Sequence, residues 1–407
     1  MKIKLTNLPT ITLMAAIFMI SPFYSAKADR SLQTVVKGNN DFGFDLYRQL
    51  KNKEGNIFFS PYSISSALAM TYAGARGQTE KEMAQVLHFS LAQKRFHSSF
   101  SKLQSNLNAV QKKGYIKLSI ADSLWAQEGY KFLDSFFNTN KKYYGAGLNF
   151  VDFSTQTEAA RKTINLWVED KTQRKIKEII KPGMIDPFTK LVLCNAIHFK
   201  GDWLSQFEKN NTVNDTFYVS PAKTIRVPTM SQESKFKFKD FGDFSAIELP
   251  YRGEGLSMVI FMPKEIDGLT EFEKSLTGNN VKKWIDTLYN SNESEIFVRL
   301  PKFKTTCEFE LAEVLSDMGM PGAFSLPPAD FSGMTGIKDL FISRVIHKAF
   351  VDVNEEGTEA AAATAVIMEK GISKVLVFKA DHPFVFLIRE NKTGNILFIG
   401  RIVDPTK

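Results

Sequence analysis

Near the C-terminus a run of small residues hangs between stretches that read as sheet strands. The run is Glu355-Glu356-Gly357-Thr358-Glu359-Ala360-Ala361-Ala362-Ala363-Thr364-Ala365-Val366-Ile367-Met368-Glu369-Lys370. As a helix it has alanines of high propensity but only a short apolar stripe, with Gly357 inside it. As a strand it is orderly at period 2. Thr358, Ala360, Ala362, Thr364, Val366 and Met368 share one face, and Glu359 and Glu369 stand near the ends of the other. Taken alone, the run reads equally well as an exposed alanine-rich helix or linker. Its flanks favour the strand. Arg344 to Val353 alternates like a long buried strand. Phe378 to Ile388, the turn Asn391-Lys392-Thr393-Gly394 and the stretch Ile396 to Val403 read as a closing hairpin.

With these residues in view the chain resembles the serpins. The segments GTEAAAATA, ADHPFVFLIRE and ILFIGRIVDP follow that family's C-terminal pattern. Further matches lie at Asn56 to Ile64, Ile164 to Val168 and Asn195 to Trp203, so the resemblance spans essentially the whole chain after residue 28. It implies an α+β fold with three β-sheets, eight or nine helices and an exposed reactive-centre loop from about residue 359 to 379. It also implies a function, suicide-substrate inhibition of serine proteases, with cysteine proteases as a second class. The cut loop enters the main sheet as a central strand and traps the acyl-enzyme. A non-inhibitory serpin acting as carrier, chaperone or storage protein is the alternative.

Site residues come from the same resemblance. Gly357, Thr358, Glu359, Ala360, Ala361, Ala362 and Ala363 form the hinge on which the loop swings. Glu355, Lys302 and Trp203 mark the breach, where the sheet first opens. Ser60, Ser63, Asn195 and His347 form the shutter under the sheet's centre; a static buried network is the plainer reading of these four. Counting from Glu355 as the family does puts the cut after Gly371. The stretch from Gly357 to Pro383 runs about one residue longer than in common members. Lys370-Gly371 is therefore the expected reactive bond, with Gly371-Ile372 second. Lys370 suits a trypsin-like protease, while Val366, Ile367 and Met368 suit elastase- or subtilisin-like enzymes.

Small side chains in the hinge have a physical reason. A strand that slides between two others meets little steric resistance from Ala and Thr, whereas a charge at Thr358 would be buried without a partner.

A search for catalytic chemistry gives nothing. There is no G-x-S-x-G, H-E-x-x-H, phosphate loop or paired C-x-x-C, and His88, His97, His198, His347 and His382 are scattered. No enzyme activity, cofactor or metal is expected.

The 407 residues, 43% of them hydrophobic, carry no linker or repeat, so one large domain from residue 29 to 407 is expected. Residues 1–28 read as a signal peptide. Lys2 and Lys4 precede the short apolar run Ile11 to Ile20, and Ser25-Ala26-Lys27-Ala28 offers a cut site. A secreted or periplasmic location is expected. Without the three leader lysines the formal charge falls from +8 to +5. That mild excess, with no basic-aromatic interleaving, suggests neither nucleic acid nor membrane as partner. Lys112-Lys113 and Arg174-Lys175-Ile176-Lys177 fit a polyanion site by analogy with some serpins, or simply a solvated helix face. The expected partner is a target protease and the expected state a monomer. Cys194 and Cys307 are expected to be free, buried thiols.

Overall fold

A computed structural model describes residues 22–145, 147–358 and 376–407. The first half contains α1 (Pro22–Leu50), β1 (Ile57–Phe59), α2 (Pro61–Tyr72), α3 (Gly77–Val86), α4 (Gln93–Gln111), β2 (Ile116–Gln127), α5 (Asp134–Tyr144), β3 (Leu148–Val151), α6 (Thr157–Lys171) and β4 (Leu191–Asp202). Then come β5 (Val213–Ser220), β6 (Lys223–Asp240), β7 (Phe244–Pro250), β8 (Leu256–Pro263), α7 (Leu269–Ser275), α8 (Gly278–Tyr289), β9 (Glu293–Pro301) and β10 (Phe303–Glu310). The last part holds α9 (Ala312–Asp317), α10 (Ser332–Thr335), β11 (Arg344–Asn354), β12 (Gly357–Thr358), β13 (Leu376–Lys379), β14 (Phe384–Glu390) and β15 (Ile396–Ile402).

Among the described residues the strands form two hydrogen-bonded sheets. The larger runs β1-β15-β14-β8-β7-β6-β9-β13, with β5 on β6. The smaller runs β10-β11-β12-β4-β2-β3. One 18-residue strand, β6, joins ladders that the family resemblance implies as separate sheets. Its start pairs with β5, its middle with β9 and its end with β7.

Local sequence explains the elements nearest the site. Ser60 caps α2: its side chain accepts from the backbone N–H of Ser63, and Pro61 occupies the first helical turn, where its missing N–H costs nothing. Every residue of α2 is buried, because the helix threads the core beneath the smaller sheet. Ala121, Trp125, Val192, Cys194, Ile346 and Phe350 point to the sheet's other face. There they pack against Ala160, Ile164 and Val168 of α6. The smaller sheet is thus covered on both faces, by α2 and by α6. Among the described residues no helix is long and apolar enough to cross a membrane.

Three local expectations are corrected. Thr79-Glu80-Lys81-Glu82 has the pattern of a capping box opening a helix, yet α3 begins at Gly77. Thr79 instead donates to the Gly322 carbonyl and accepts from the Asp330 amide, and Glu82 accepts from the Gly322 amide, so these groups tie α3 to a distant loop. The apolar rhythm from Glu158 to Ile180 predicts one helix, but α6 stops at Lys171, and Gln173 and Arg174 turn through left-handed φ angles of 53° and 62°. The rhythm continues because Asn165 of α6 holds the next segment against the helix, accepting from the amides of Ile179 and Ile180. Glu308 to Met318 reads as helix, but its start is the end of β10, whose Glu308–Glu310 pair with Ile346–Lys348 of β11.

Candidate functional site

The smaller sheet has a partly opened seam. β11 and β4 are parallel and directly paired from Arg344↔Val192 to Phe350↔His198. Beyond that point β12 sits between them. Thr358 pairs with Val353 on one side and Gly201 on the other, and Gly357 pairs with Asn354 and Asp202. Gly357 and Thr358, the first two residues of the expected hinge, therefore already lie between the two strands. Glu359, Ala360, Ala361, Ala362 and Ala363 of the expected hinge lie outside the described residues. So do the expected reactive bonds at Lys370, Gly371 and Ile372.

Close approach explains why these two residues are what they are. A Cβ on Gly357 would stand 2.1 Å from the Gly201 carbonyl oxygen and 2.7 Å from the Asp202 Cα. Thr358 is fully buried, and its hydroxyl lies 2.9 Å from the Tyr251 hydroxyl. Burial pushes the Tyr251 phenol upward, so it keeps its proton and can serve as donor. The Tyr251 ring stacks on Trp203 with centroids 4.6 Å apart.

The three residues expected at the breach, Glu355, Lys302 and Trp203, lie together at the mouth of this slot. Trp203 Nε1 donates to the Asn354 carbonyl at 3.0 Å, and the Trp203 amide donates to the Glu356 carbonyl at 3.0 Å. Lys302 Nζ donates to both oxygens of Glu355, at 2.9 and 2.8 Å, and Thr212 donates to one of them at 2.8 Å. Burial alone would raise the Glu355 carboxyl. The bond from Lys302, the bond from Thr212 and the lysine's charge outweigh it, and the group sits below its usual range. The Glu355 carbonyl also accepts from the Phe207 amide at 2.8 Å. The base of the loop is therefore bolted to the body by side chains and backbone together.

Ser60, Ser63, Asn195 and His347, the residues expected at the shutter, form one network on the core face. Asn195 and His347 are partners across the β4–β11 ladder. The Ser60 amide donates to His347 Nε2 at 3.1 Å, so the imidazole proton sits on Nδ1 and is donated to Asn195 Oδ1. Asn195 Nδ2 in turn donates to Ser63 Oγ and to Asp122 Oδ1, and Ser63 Oγ donates to Asp122 Oδ1 at 3.1 Å. Desolvation lowers the His347 pKa to about 3, so the ring is neutral. Desolvation raises Asp122 to about 7, against the pull of hydrogen bonds from Ser66, Ser63 and Asn195.

The structure thus brings together Glu355, Lys302 and Trp203 in one cluster and Ser60, Ser63, Asn195 and His347 in another. Sequence reasoning misses Tyr251, Thr212 and Asp122. In the sequence Tyr251 reads only as the start of a turn. Asp122 carries a signal: a carboxylate within an otherwise apolar strand pattern. Both cysteines are free and buried.

Comparison with known proteins agrees with this architecture. Residues 37–405 match the sequence profile of the family described as Serpin (serine protease inhibitor). The leukocyte elastase inhibitor of Xenopus tropicalis is 43% identical over 89% of this chain and 97% of its own length. The human leukocyte elastase inhibitor is 42% identical over 92% of this chain and 100% of its own length. The crystal structure of uncleaved ovalbumin superposes with a TM-score of 0.83 at 31% identity, covering 91% of this chain and 100% of that one.

These relatives correct the expectation of a secreted or periplasmic protein. Leukocyte elastase inhibitors lack signal peptides and are mainly cytoplasmic. In the structure the expected cut after Ala28 falls inside α1, which starts at Pro22, while the apolar leader run lies outside the described residues. With the profile match, the relatives and the fold in agreement, the chain belongs to the serpin family of serine protease inhibitors.

Proposed function

We propose that this serpin arrests a serine protease by letting it cut the loop between β12 and β13 and then drawing the cut end into the slot between β11 and β4. The observation that carries this reading is the position of Gly357 and Thr358 at the top of that slot. If the inserted strand kept their register, Thr364 would come opposite both Asn195 and His347. Thr358 faces the core, so at period 2 Thr364 would face the shutter as well. Thr358 to Lys370 spans roughly 43 Å as a strand at about 3.3 Å per residue, enough to carry an attached protease across the inhibitor. Displacement of that size destroys the ångström-scale positioning that deacylation needs. The protein acts on an enzyme without being one.

Insertion has a cost and a return. The seven paired positions of β4 and β11 must part, and the Asn195–His347 contact with them. In return a new strand gains hydrogen bonds on both edges and buries a small-residue face. Ser60, Ser63, Asn195 and His347 act here as a latch, and Glu355, Lys302 and Trp203 as the anchor of the loop's base. Lys370-Gly371 is the proposed reactive bond, with Gly371-Ile372 second. The relatives named as leukocyte elastase inhibitors support a serine protease as partner, and Lys370 favours one with an acidic specificity pocket.

Melting the intact and the loop-cleaved protein side by side tests the mechanism. The cleaved form should unfold at a much higher temperature. Equal melting temperatures, or no SDS-stable complex with any serine protease, would overturn it. Mass spectrometry of the C-terminal peptide released from such a complex fixes the reactive bond.

A further inference from the structure

One face of β4 is apolar along its middle and cationic at both ends. Val192, Cys194 and Ala196 pack on the α6 side, while Leu191, Leu193, Ile197 and Phe199 point into the main core. Even-numbered residues of β4 therefore share the α6 side. Lys200 lies on that side near the end that holds Thr358, and Lys190 one residue before the strand begins. Lys190 still belongs to the ladder, since its carbonyl accepts from the Gln127 amide at 3.0 Å. Neither end is compensated. Lys117 of β2 stands directly opposite Lys200, and like charges in that position destabilise a ladder. Lys117, Lys190 and Lys200 form no ion pair among the described residues.

The sequence that follows Thr358, outside the described residues, carries the opposite pattern. Glu359 and Glu369 are ten residues apart, with Ala361, Ala363, Ala365 and Ile367 at the alternate positions between them. Lys200 and Lys190 are also ten residues apart, with His198, Ala196, Cys194 and Val192 between them. Thr358 pairs with Gly201 and Gly357 with Asp202. If the inserted strand kept that register, Glu359 would come opposite Lys200 and Glu369 opposite Lys190, both on the α6 side. A slip of one residue would turn both glutamates into the core. A slip of two would set them against Asp202 and Val192, or against His198 and Phe188.

We propose that Lys200 and Lys190 are positioning residues for the cut loop: they pair with Glu359 and Glu369 and fix the register of the inserted strand. This rests on the insertion mechanism proposed above and adds the residues that guide it. Their order in the chain sets their roles. Glu359 follows Thr358 directly, so its pair with Lys200 forms at the first step and relieves the conflict between Lys117 and Lys200. On its other side Glu359 meets Asp352 of β11, whose charge is offset by Lys304 at 3.8 Å. Glu369 reaches Lys190 only when the whole strand is in, so the second pair holds the far end and opposes withdrawal. Each cross-strand pair is modest in energy, but insertion competes with deacylation, and a small change in its rate shifts the outcome.

Charge reversal in the full chain tests this. Lys190→Glu and Glu369→Lys should each raise the number of inhibitor molecules consumed per protease about twofold. Each should also lower the melting temperature of the loop-cleaved protein, with the cut after Lys370 or Lys374 verified by mass spectrometry. The double variant Lys190→Glu, Glu369→Lys restores opposite charges and should recover both values. Lys200→Glu and Glu359→Lys form a second cycle with the same expectation. The effects should shrink in about 1 M sodium chloride, where charges at the surface are screened. Stoichiometry reads the partition after the cut, so altered recognition of a loop changed beside the proposed reactive bond does not enter it. Single reversals without effect, or a double variant no better than the singles, would overturn the pairing and leave insertion standing. A wild-type protein whose cleaved form melts no higher than the intact one would remove insertion itself, and the pairing with it.

Discussion

Asn195 of β4 and His347 of β11 face each other across a parallel ladder, and the imidazole Nδ1–H is donated to the amide oxygen. The contact joins the two strands that must separate for the loop to enter. Removing the amide in Asn195→Ala leaves the His347 N–H, Ser63 and Asp122 short of partners. The native state should lose about 1–3 kcal/mol. Urea unfolding of the intact protein measures this. The same variant should also take up its own loop and lose inhibitory capacity faster on storage, read as the decay of active-site titre.

Asp122 should make the proposed latch sensitive to pH. Its folded pKa of about 7 lies above the ordinary aspartate value of 3.8, so between these values the native state holds more protons than the unfolded chain. Its contribution to stability therefore falls as pH rises from about 4 to about 7. His347, lowered from 6.5 to about 3, has the opposite sign: its contribution is lost as pH falls through that window. Asp122→Asn removes the first slope and keeps the second. The stability difference, variant minus wild type, should grow steadily from pH 4 to pH 7 in urea titrations and stay level above.

Gly357→Ala places a methyl group within 2.1 Å of a backbone oxygen, which cannot move aside cheaply. The dipeptide should leave the slot, and the Tyr251–Thr358 contact should go with it. The expected results are a loss of about 1–3 kcal/mol of native stability and fast amide hydrogen exchange at Thr358. The number of inhibitor molecules consumed per protease should rise.

Thr358→Arg acts at the next position and more severely. The threonine is fully buried with its hydroxyl on Tyr251, so an arginine there would bury a charge without a partner. The loop should remain a good substrate while SDS-stable complex disappears. A normal yield of complex on gels would remove the basis for the insertion mechanism.

The fold is legible in the sequence where periodicity and packing agree. β4, β8, β11 and the β14–β15 hairpin carry long apolar runs because both of their faces are buried. α2 announces itself through Ser60, Pro61 and a helical row of small and apolar residues. What stays hidden is tertiary. Thr79 and Glu82 have the spacing of a cap but spend their hydrogen bonds on Gly322 and Asp330. Ile176, Ile179 and Ile180 continue a helical rhythm although they pack as an irregular segment, which only Asn165 reveals. The clusters around Glu355 and His347 come from family resemblance rather than spacing, since their members lie up to 287 positions apart in the chain. Tyr251 and Asp122 belong to neither a motif nor a period, and only the packed structure places them beside Thr358 and Asn195.

The foothold of β12 changes the kinetics once the loop is cut. A strand growing between neighbours meets its steepest obstacle at the first rung, where chain freedom is lost before hydrogen bonds accumulate. Gly357 and Thr358 have already passed that rung. The remainder resembles a zipper with its slider seated, and its speed is set by passage beneath α6 and past the central lock, not by search. Water attacking the trapped ester runs on a separate clock. Every encounter is then a race, and the inhibitor enters it from a moving start.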